Sequence, residues 1–161
     1  MHRLGLISDT HGLLRPEAKL FLQGSDHIIH GGDIGHAEII EELATLAPVT
    51  AVRGNVDTAA WTESLRETET LQIGDLIVYV IHDLARLAIE PHAAGVRVVV
   101  SGHSHKPRVV EKDGVLYVNP GSAGPRRFSL PIAVGELLVT GNSVSARIVQ
   151  LEAQIGANVI R

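Results

Sequence analysis

The chain contains no cysteine, which excludes disulfide bridges, thiolate metal sites and cysteine nucleophiles together. Any bound metal must therefore be held by oxygen and imidazole. Aromatic residues are nearly as scarce: at 3% of the sequence against a hydrophobic share of 45%, they leave Val, Ile, Leu and Ala to build the core, a composition that suits buried parallel strands. Long runs of one character are missing as well. No apolar run approaches the roughly 20 residues that cross a bilayer. Met1 leads directly into the apolar stretch Leu4 to Ile7, without the basic segment, extended apolar segment and cleavage site of an export signal. The expectation is a cytoplasmic protein with no membrane partner. No basic cluster is longer than the pair Arg126 and Arg127, and 14 basic against 18 acidic residues leave a net charge of −4. That balance argues against long nucleic acid as a partner.

What is present fits one compact unit. At 161 residues the chain is expected to form a single domain spanning 1–161. Apolar runs alternate with helical or loop stretches, which is the pattern of βαβ units. Strands are expected near Arg3–Ser8, His27–His30, Val49–Arg53, Leu76–His82 and Val96–Ser101, with helices near Pro16–Gln23, Ala37–Leu46 and Leu84–Ala93. Pro16 suits a helix start and Gly24 the position just past its end. After Gly102 the pattern changes to short strands separated by turn dipeptides, Asp113-Gly114 and Gly141-Asn142, and Gly74-Asp75 marks an earlier hairpin. The whole reads as a mixed sheet system, two sheets face to face with helices outside.

Nine histidines are the one unusual figure, and imidazole is a common neutral metal ligand. Their positions make them informative. Asp9, Asp33, Asn55, His82 and His103 each follow the end of an apolar strand, and the carboxyl ends of parallel strands converge on one crevice. His11 lies two residues after Asp9, and His105 two after His103; in extended backbone such pairs point to the same side. Two aspartates, one asparagine and four histidines are too many donors for one ion with an open position, but suit two ions sharing a carboxylate. Taken singly, Asp and Asn at strand ends are ordinary capping and turn residues; the ordered set is what carries the metal reading.

Asp9-Thr10-His11, Gly32-Asp33, Gly54-Asn55, His82 and Gly102-His103-Ser104-His105 reproduce in order the D-x-H, G-D, G-N, H and G-H-x-H blocks of the calcineurin-like binuclear metallophosphoesterases. Asn119-Pro120-Gly121-Ser122 resembles the N-P-G-S segment of their small bacterial and archaeal phosphodiesterase branch. The resemblance implies a four-layer α/β/β/α sandwich and two divalent metal ions, manganese foremost, with iron, zinc or nickel as the other metals of the family. It assigns Asp9, His11 and His105 to one metal, Asn55, His82 and His103 to the other, and Asp33 to a bridge between them. Asp33, Asn55 and His103 would serve at the reacting group, whose nucleophile would be a hydroxide bridging the ions. The implied activity is hydrolysis of a small phosphoester, most simply a phosphodiester. The alternative is a non-catalytic interaction scaffold on the same fold, resembling the retromer subunit of this family, and that reading predicts missing ligands. Relatives form dimers or tetramers, so a homo-oligomer joined through Leu84, Leu87 and Ile89 is a further expectation.

Two departures stand out. Larger relatives carry a histidine directly after the G-N pair, where this chain has Val56; the pattern here is the G-N-x-D of small relatives, completed by Asp57. After His82, where close relatives continue with glycine and histidine, this chain has Asp83 and Leu84. Around the ligands, His30 is read as orienting one of them or as a hydrogen-bonded core histidine, and Asp57 as supporting rather than binding. Among Arg53, Arg126 and Arg127, each a candidate for substrate phosphate, Arg127 is favoured for its place after the N-P-G-S turn, with Asn55 as the other substrate contact. His36 is the one remaining histidine near enough in sequence to reach the crevice, and Trp61 is either pocket lining or a satellite of the core.

Overall fold

The computed structural model describes residues 1–152 and 156–160. Two mixed sheets pack face to face. The first has six strands, in the order β11 (Gly156–Ile160), β10 (Ser143–Glu152), β9 (Ala133–Thr140), β1 (His2–Ile7), β2 (His27–His30) and β3 (Val49–Ala51). The second has five, in the order β4 (Thr68–Ile73), β5 (Leu76–Ile81), β6 (Val98–Val100), β8 (Val115–Asn119) and β7 (Arg108–Lys112). Strands β1, β2 and β3 run parallel, as do β5, β6 and β8, so each sheet contributes three parallel carboxyl ends to one edge of the sandwich. The hairpins at Gly74-Asp75, Asp113-Gly114 and Gly141-Asn142 join antiparallel neighbours. Not all of the second half is antiparallel, because β8 lies parallel to β6.

The scarcity of aromatic residues shows in the core. Leu4 and Leu6 of β1 meet Val78, Val80, Val98, Val100 and Val118 of the other sheet in an aliphatic layer between the sheets. The alternate residue Ile7 faces outward, onto helices α1 (Pro16–Leu22) and α2 (Ala37–Ala44), as the two-residue period of a strand requires. Each helix is short and buries one apolar stripe, Ala18 and Leu22 in α1, Ile39 and Leu43 in α2; each of the larger side chains contributes about 1.5–3 kcal/mol. Trp61, on a 3₁₀ turn over Ala60–Ser64, packs against this same layer.

The fourth layer is thin. The helix expected over Leu84–Ala93 does not form: a single 3₁₀ turn spans Leu84–Arg86, capped by the Asp83 carboxylate accepting from Ala85 N at 3.0 Å. Leu87 then turns to extended backbone, and Pro91 lacks the N–H and disfavours helical geometry at Glu90. Leu87 and Ile89 pack inward on the outer face of the second sheet, while Leu84 stays exposed. Among the described residues no helix is long and apolar enough to cross a membrane.

Candidate metal centre

The loops at the shared carboxyl edge are stitched to one another before any side chain is considered. Asp9 N donates to Gly32 O, His11 N to Asp33 O and Gly12 N to Ile34 O, at 2.8–3.0 Å. Asp9, His11, Asp33, His103 and His105 all adopt left-handed backbone, with φ between 45° and 70°. Non-glycine residues rarely do so, and such strain concentrates at functional sites. This corrects one expectation: Asp9 with His11, and His103 with His105, are aimed into the crevice by left-handed turns and not by the alternation of extended backbone.

All seven expected donors come together. Asp9, His11 and His105 form one group and Asp33, His82 and His103 another, the donor atoms of each lying within 4.8 Å of one another. Asn55 Oδ1 lies 3.0 Å from His82 Nε2 and 3.1 Å from His103 Nδ1, within the second group. Asp33 faces both: its Oδ2 is 3.1 Å from His82 Nε2 and 3.8 Å from His11 Nε2. Asp9 Oδ1 is 3.3 Å from His105 Nε2 and 3.9 Å from His11 Nε2.

The donors fit a pair of divalent cations. Asp9 is fully buried, yet its Oδ1 has no hydrogen-bond partner, and neither does the buried His11 Nε2. Unsatisfied buried groups of this kind call for an ion or a proton. His82 Nδ1 lies 2.6 Å from Gly31 O. Donating there leaves Nε2 with its lone pair toward the cluster, the usual second bond of a metal-ligating histidine. Without a cation, burial pushes the His82 pKa down, but the Asp33 hydrogen bond and the Asp9 charge outweigh it and leave a net rise. At Asp33 burial acts upward, and the His82 and Val56 hydrogen bonds leave the carboxyl below its ordinary range. Protons and cations therefore compete for the same lone pairs, so metal affinity falls as pH falls.

Support around the donors is dense. Asp57, 4% exposed, accepts from four backbone N–H groups: Asp33 at 2.9 Å, Ile34 at 2.9 Å, Gly35 at 3.4 Å and Gly54 at 2.8 Å. One carboxylate thus clamps the Asp33 loop to the Asn55 loop. Gly54 is required by close approach, since a Cβ there would overlap the Asp33 carboxylate, and a Cβ at Gly102 would lie 2.6 Å from Asp9 Oδ2. Asp9 Oδ2 itself accepts from Ser8 Oγ at 2.7 Å and His103 N at 3.1 Å.

His30 is wholly buried and resolves both readings made of it into one: a hydrogen-bonded core histidine that positions the loops. Its Nδ1 accepts from Gly32 N at 3.0 Å, which leaves Nε2 to donate to Thr10 Oγ1, also at 3.0 Å; the Thr10 hydroxyl passes the link to Ile34 O. Burial pulls its pKa to about 4, against the Asp9 carboxylate, which acts the other way. The unfolded chain, titrating near 6.5, takes up this proton first, so the stabilisation is complete above pH 6.5 and is lost as pH falls toward 4. Its size is about 3 kcal/mol. With chelator present, urea titrations from pH 7 to 4 should show a His30→Gln variant losing about 3 kcal/mol less than the parent. Parallel losses would overturn the assignment.

Sequence reasoning missed Asp83. Its Oδ2 lies 3.8 Å from His103 Nε2, opposite the Nδ1 that faces Asn55, so the residue that departs from the family pattern after His82 supplies a carboxylate beside an exposed candidate donor. Ser8, Ser122 and Asn119 were also missed; Ser122 Oγ donates to Asp9 O at 3.0 Å, and Asn119 Nδ2 to Gly102 O at 2.9 Å. The N-P-G-S segment was the available signal for the last two. Arg126 and Arg127 stand exposed on the segment after Gly124, and among the described residues neither side chain has a hydrogen-bond or ion-pair partner. Arg53 pairs with Glu67 at 3.5 Å, and His36 is exposed, its ring over Gly12.

Known proteins share this architecture and sequence. At 34% identity over 163 residues, covering 94% of both chains, the protein is similar to a probable metallophosphoesterase of Methanothermobacter thermautotrophicus. Among solved structures it superposes on vacuolar protein sorting 29 of Cryptosporidium parvum with a TM-score of 0.85 at 23% identity, over 99% of this chain and 95% of that one. It also superposes on an archaeal phosphodiesterase with a TM-score of 0.75 at 24% identity, over 91% and 99%. These two likenesses establish the fold. The calcineurin-like phosphoesterase superfamily domain matches residues 2–141, and with the archaeal relative it places this protein in that superfamily.

Proposed function

We propose that the protein is a metal-dependent phosphoric ester hydrolase, acting on a small phosphodiester at the cluster of Asp9, His11, Asp33, Asn55, His82, His103 and His105. The observation that supports this reading most is the Asp33 carboxylate, 3.1 Å from a histidine of one donor group and 3.8 Å from a histidine of the other. Two divalent ions, manganese first among the candidates, would supply polarisation of a phosphoryl oxygen and a water activated for attack near neutral pH.

The chain's own contribution is position and charge. His82, fixed by Gly31 O, and Asp33, fixed by Val56 N at 3.0 Å, present their remaining lone pairs inward without reorganising, which is the source of most electrostatic catalysis. Asn55 and His103 are exposed at the mouth, where they would meet the reacting phosphoryl group. Asp83 beside His103 Nε2 favours a proton on that nitrogen, leaving Nδ1 for the cluster. Val56, 49% exposed, offers no proton where larger relatives carry histidine, so esters with good leaving groups should react far faster than alkyl monoesters. The interaction-scaffold alternative predicts a degraded donor set, and here every donor position is filled.

Chelated protein reconstituted with Mn²⁺ is expected to hydrolyse bis(4-nitrophenyl) phosphate and to leave alkyl monoesters almost untouched. Absence of turnover with Mn²⁺, Fe²⁺, Zn²⁺ and Ni²⁺ would favour the scaffold.

A further inference from the structure

The segment after His82 covers only part of the second sheet's outer face. Between it and the edge strand β7 runs a groove of about 460 Å³, bounded at one end by Asp83, Gly102, His103 and Asn119 of the candidate metal centre. That volume is within the range, roughly 300–1,000 Å³, of small-molecule sites. Its floor is apolar, with Leu87, Val110 and Tyr117. Its far wall is cationic. Val109 packs into the layer between the sheets, so the alternate residues Arg108, Val110 and Lys112 face outward into the groove, with Lys106 just before them. Register puts Arg108 opposite Asn119, at the metal-centre end, and Lys112 opposite Val115, about 13 Å further along the strand.

All three cations are exposed, and among the described residues none has an ion-pair partner. The strand's one acid, Glu111, is engaged by Arg97 at 3.3 Å. Lysines on an edge strand also serve to prevent strand pairing. A row of cations over an apolar floor, opening onto a phosphoester centre, is a different arrangement from a charged edge facing solvent.

We infer that this groove binds the part of the substrate leading away from the reacting phosphorus, and that this part is an apolar or aromatic body carrying a second phosphate. Resting on the phosphodiesterase reading above, the inference assigns the substrate to the class of 5′-phosphorylated dinucleotide-like diesters. The body lies over Leu87, Val110 and Tyr117, and the cationic wall running from Arg108 to Lys112 faces the second anion.

The test compares the dinucleotide TpT with its 5′-phosphorylated form pTpT, using the full chain loaded with Mn²⁺ for hydrolysis and the chelated chain for calorimetric binding. The parent is expected to favour pTpT about tenfold in both measurements, as one added charge-assisted contact would give. In the Arg108→Gln/Lys112→Gln variant, with its melting temperature checked against the parent's, the preference is expected to shrink to twofold or less. An equal response of the parent to the two dinucleotides, or an unaltered preference in the variant, overturns the inference and returns the cations to edge protection. Binding preference without turnover of any ester would sustain the groove and reject the hydrolase reading. Turnover of bis(4-nitrophenyl) phosphate by the parent without any dinucleotide preference would do the reverse.

Discussion

An Asp33→Ala variant is expected to lose about a thousandfold or more of its diester hydrolysis, equivalent to about 4 kcal/mol of transition-state stabilisation. It should also lose most of the rise in melting temperature that divalent ions give the parent. Asp33 Oδ2 faces histidines of both donor groups and approaches His82 more closely than Asp9 does, at 3.1 Å against 4.0 Å, and its other oxygen is fixed by Val56 N. Removing it takes the nearer of the two carboxylates from His82 Nε2 and leaves only the 4.0 Å approach of Asp9 between the groups. Ligand binding stabilises the folded chain by about 2.7 kcal/mol at a hundredfold excess over the dissociation constant, so the melting shift reports metal occupancy separately from turnover. Asp33→Asn keeps the shape and the Val56 contact and removes the charge; it should resemble alanine in activity while folding as well as the parent. Elemental analysis showing two tightly held ions in Asp33→Ala would remove the bridge from the proposal.

The second large effect is on stability. Asp57→Ala strips four backbone N–H groups, on Asp33, Ile34, Gly35 and Gly54, of their shared acceptor. Each buried donor left unpaired costs about 1–3 kcal/mol, and relaxation of the loops recovers part of the sum, so a net loss of about 3–5 kcal/mol is expected. Asp57→Asn should fall between the two, because its amide nitrogen meets N–H donors where an oxygen had accepted. Urea unfolding with chelator present isolates this cost from metal binding. A change below about 1 kcal/mol would show that the loops hold their positions without the clamp. The clamp also explains the final aspartate of the G-N-x-D block: it acts on the backbone of the Asp33 loop and is not one of the clustered donors.

Much of the fold was legible because its signals are local. The aliphatic runs became β1, β2, β5 and β6, and three turn dipeptides became hairpins. The failure over Leu84–Ala93 has a local cause as well, since Pro91 was visible and outweighs the apolar spacing that suggested a helix. The parallel pairing of β8 with β6 was not visible in this way, because a strand's neighbour is chosen by tertiary packing and leaves no local pattern.

For the site, the sequence by itself determined which atoms are available: oxygen and nitrogen only, seven donors in a fixed order, five of them after apolar runs and two placed two residues further on. It could not determine how they are aimed. Five of them point into the crevice through left-handed backbone held by hydrogen bonds between loops far apart in the chain, and Asp57 reaches its partners across 22–24 residues. The place of Asp83 beside His103 and the row of cations along the groove were likewise decided only on folding. A side chain's chemistry is a property of one residue, whereas its direction and surroundings depend on which distant strands the packing of the core brings alongside.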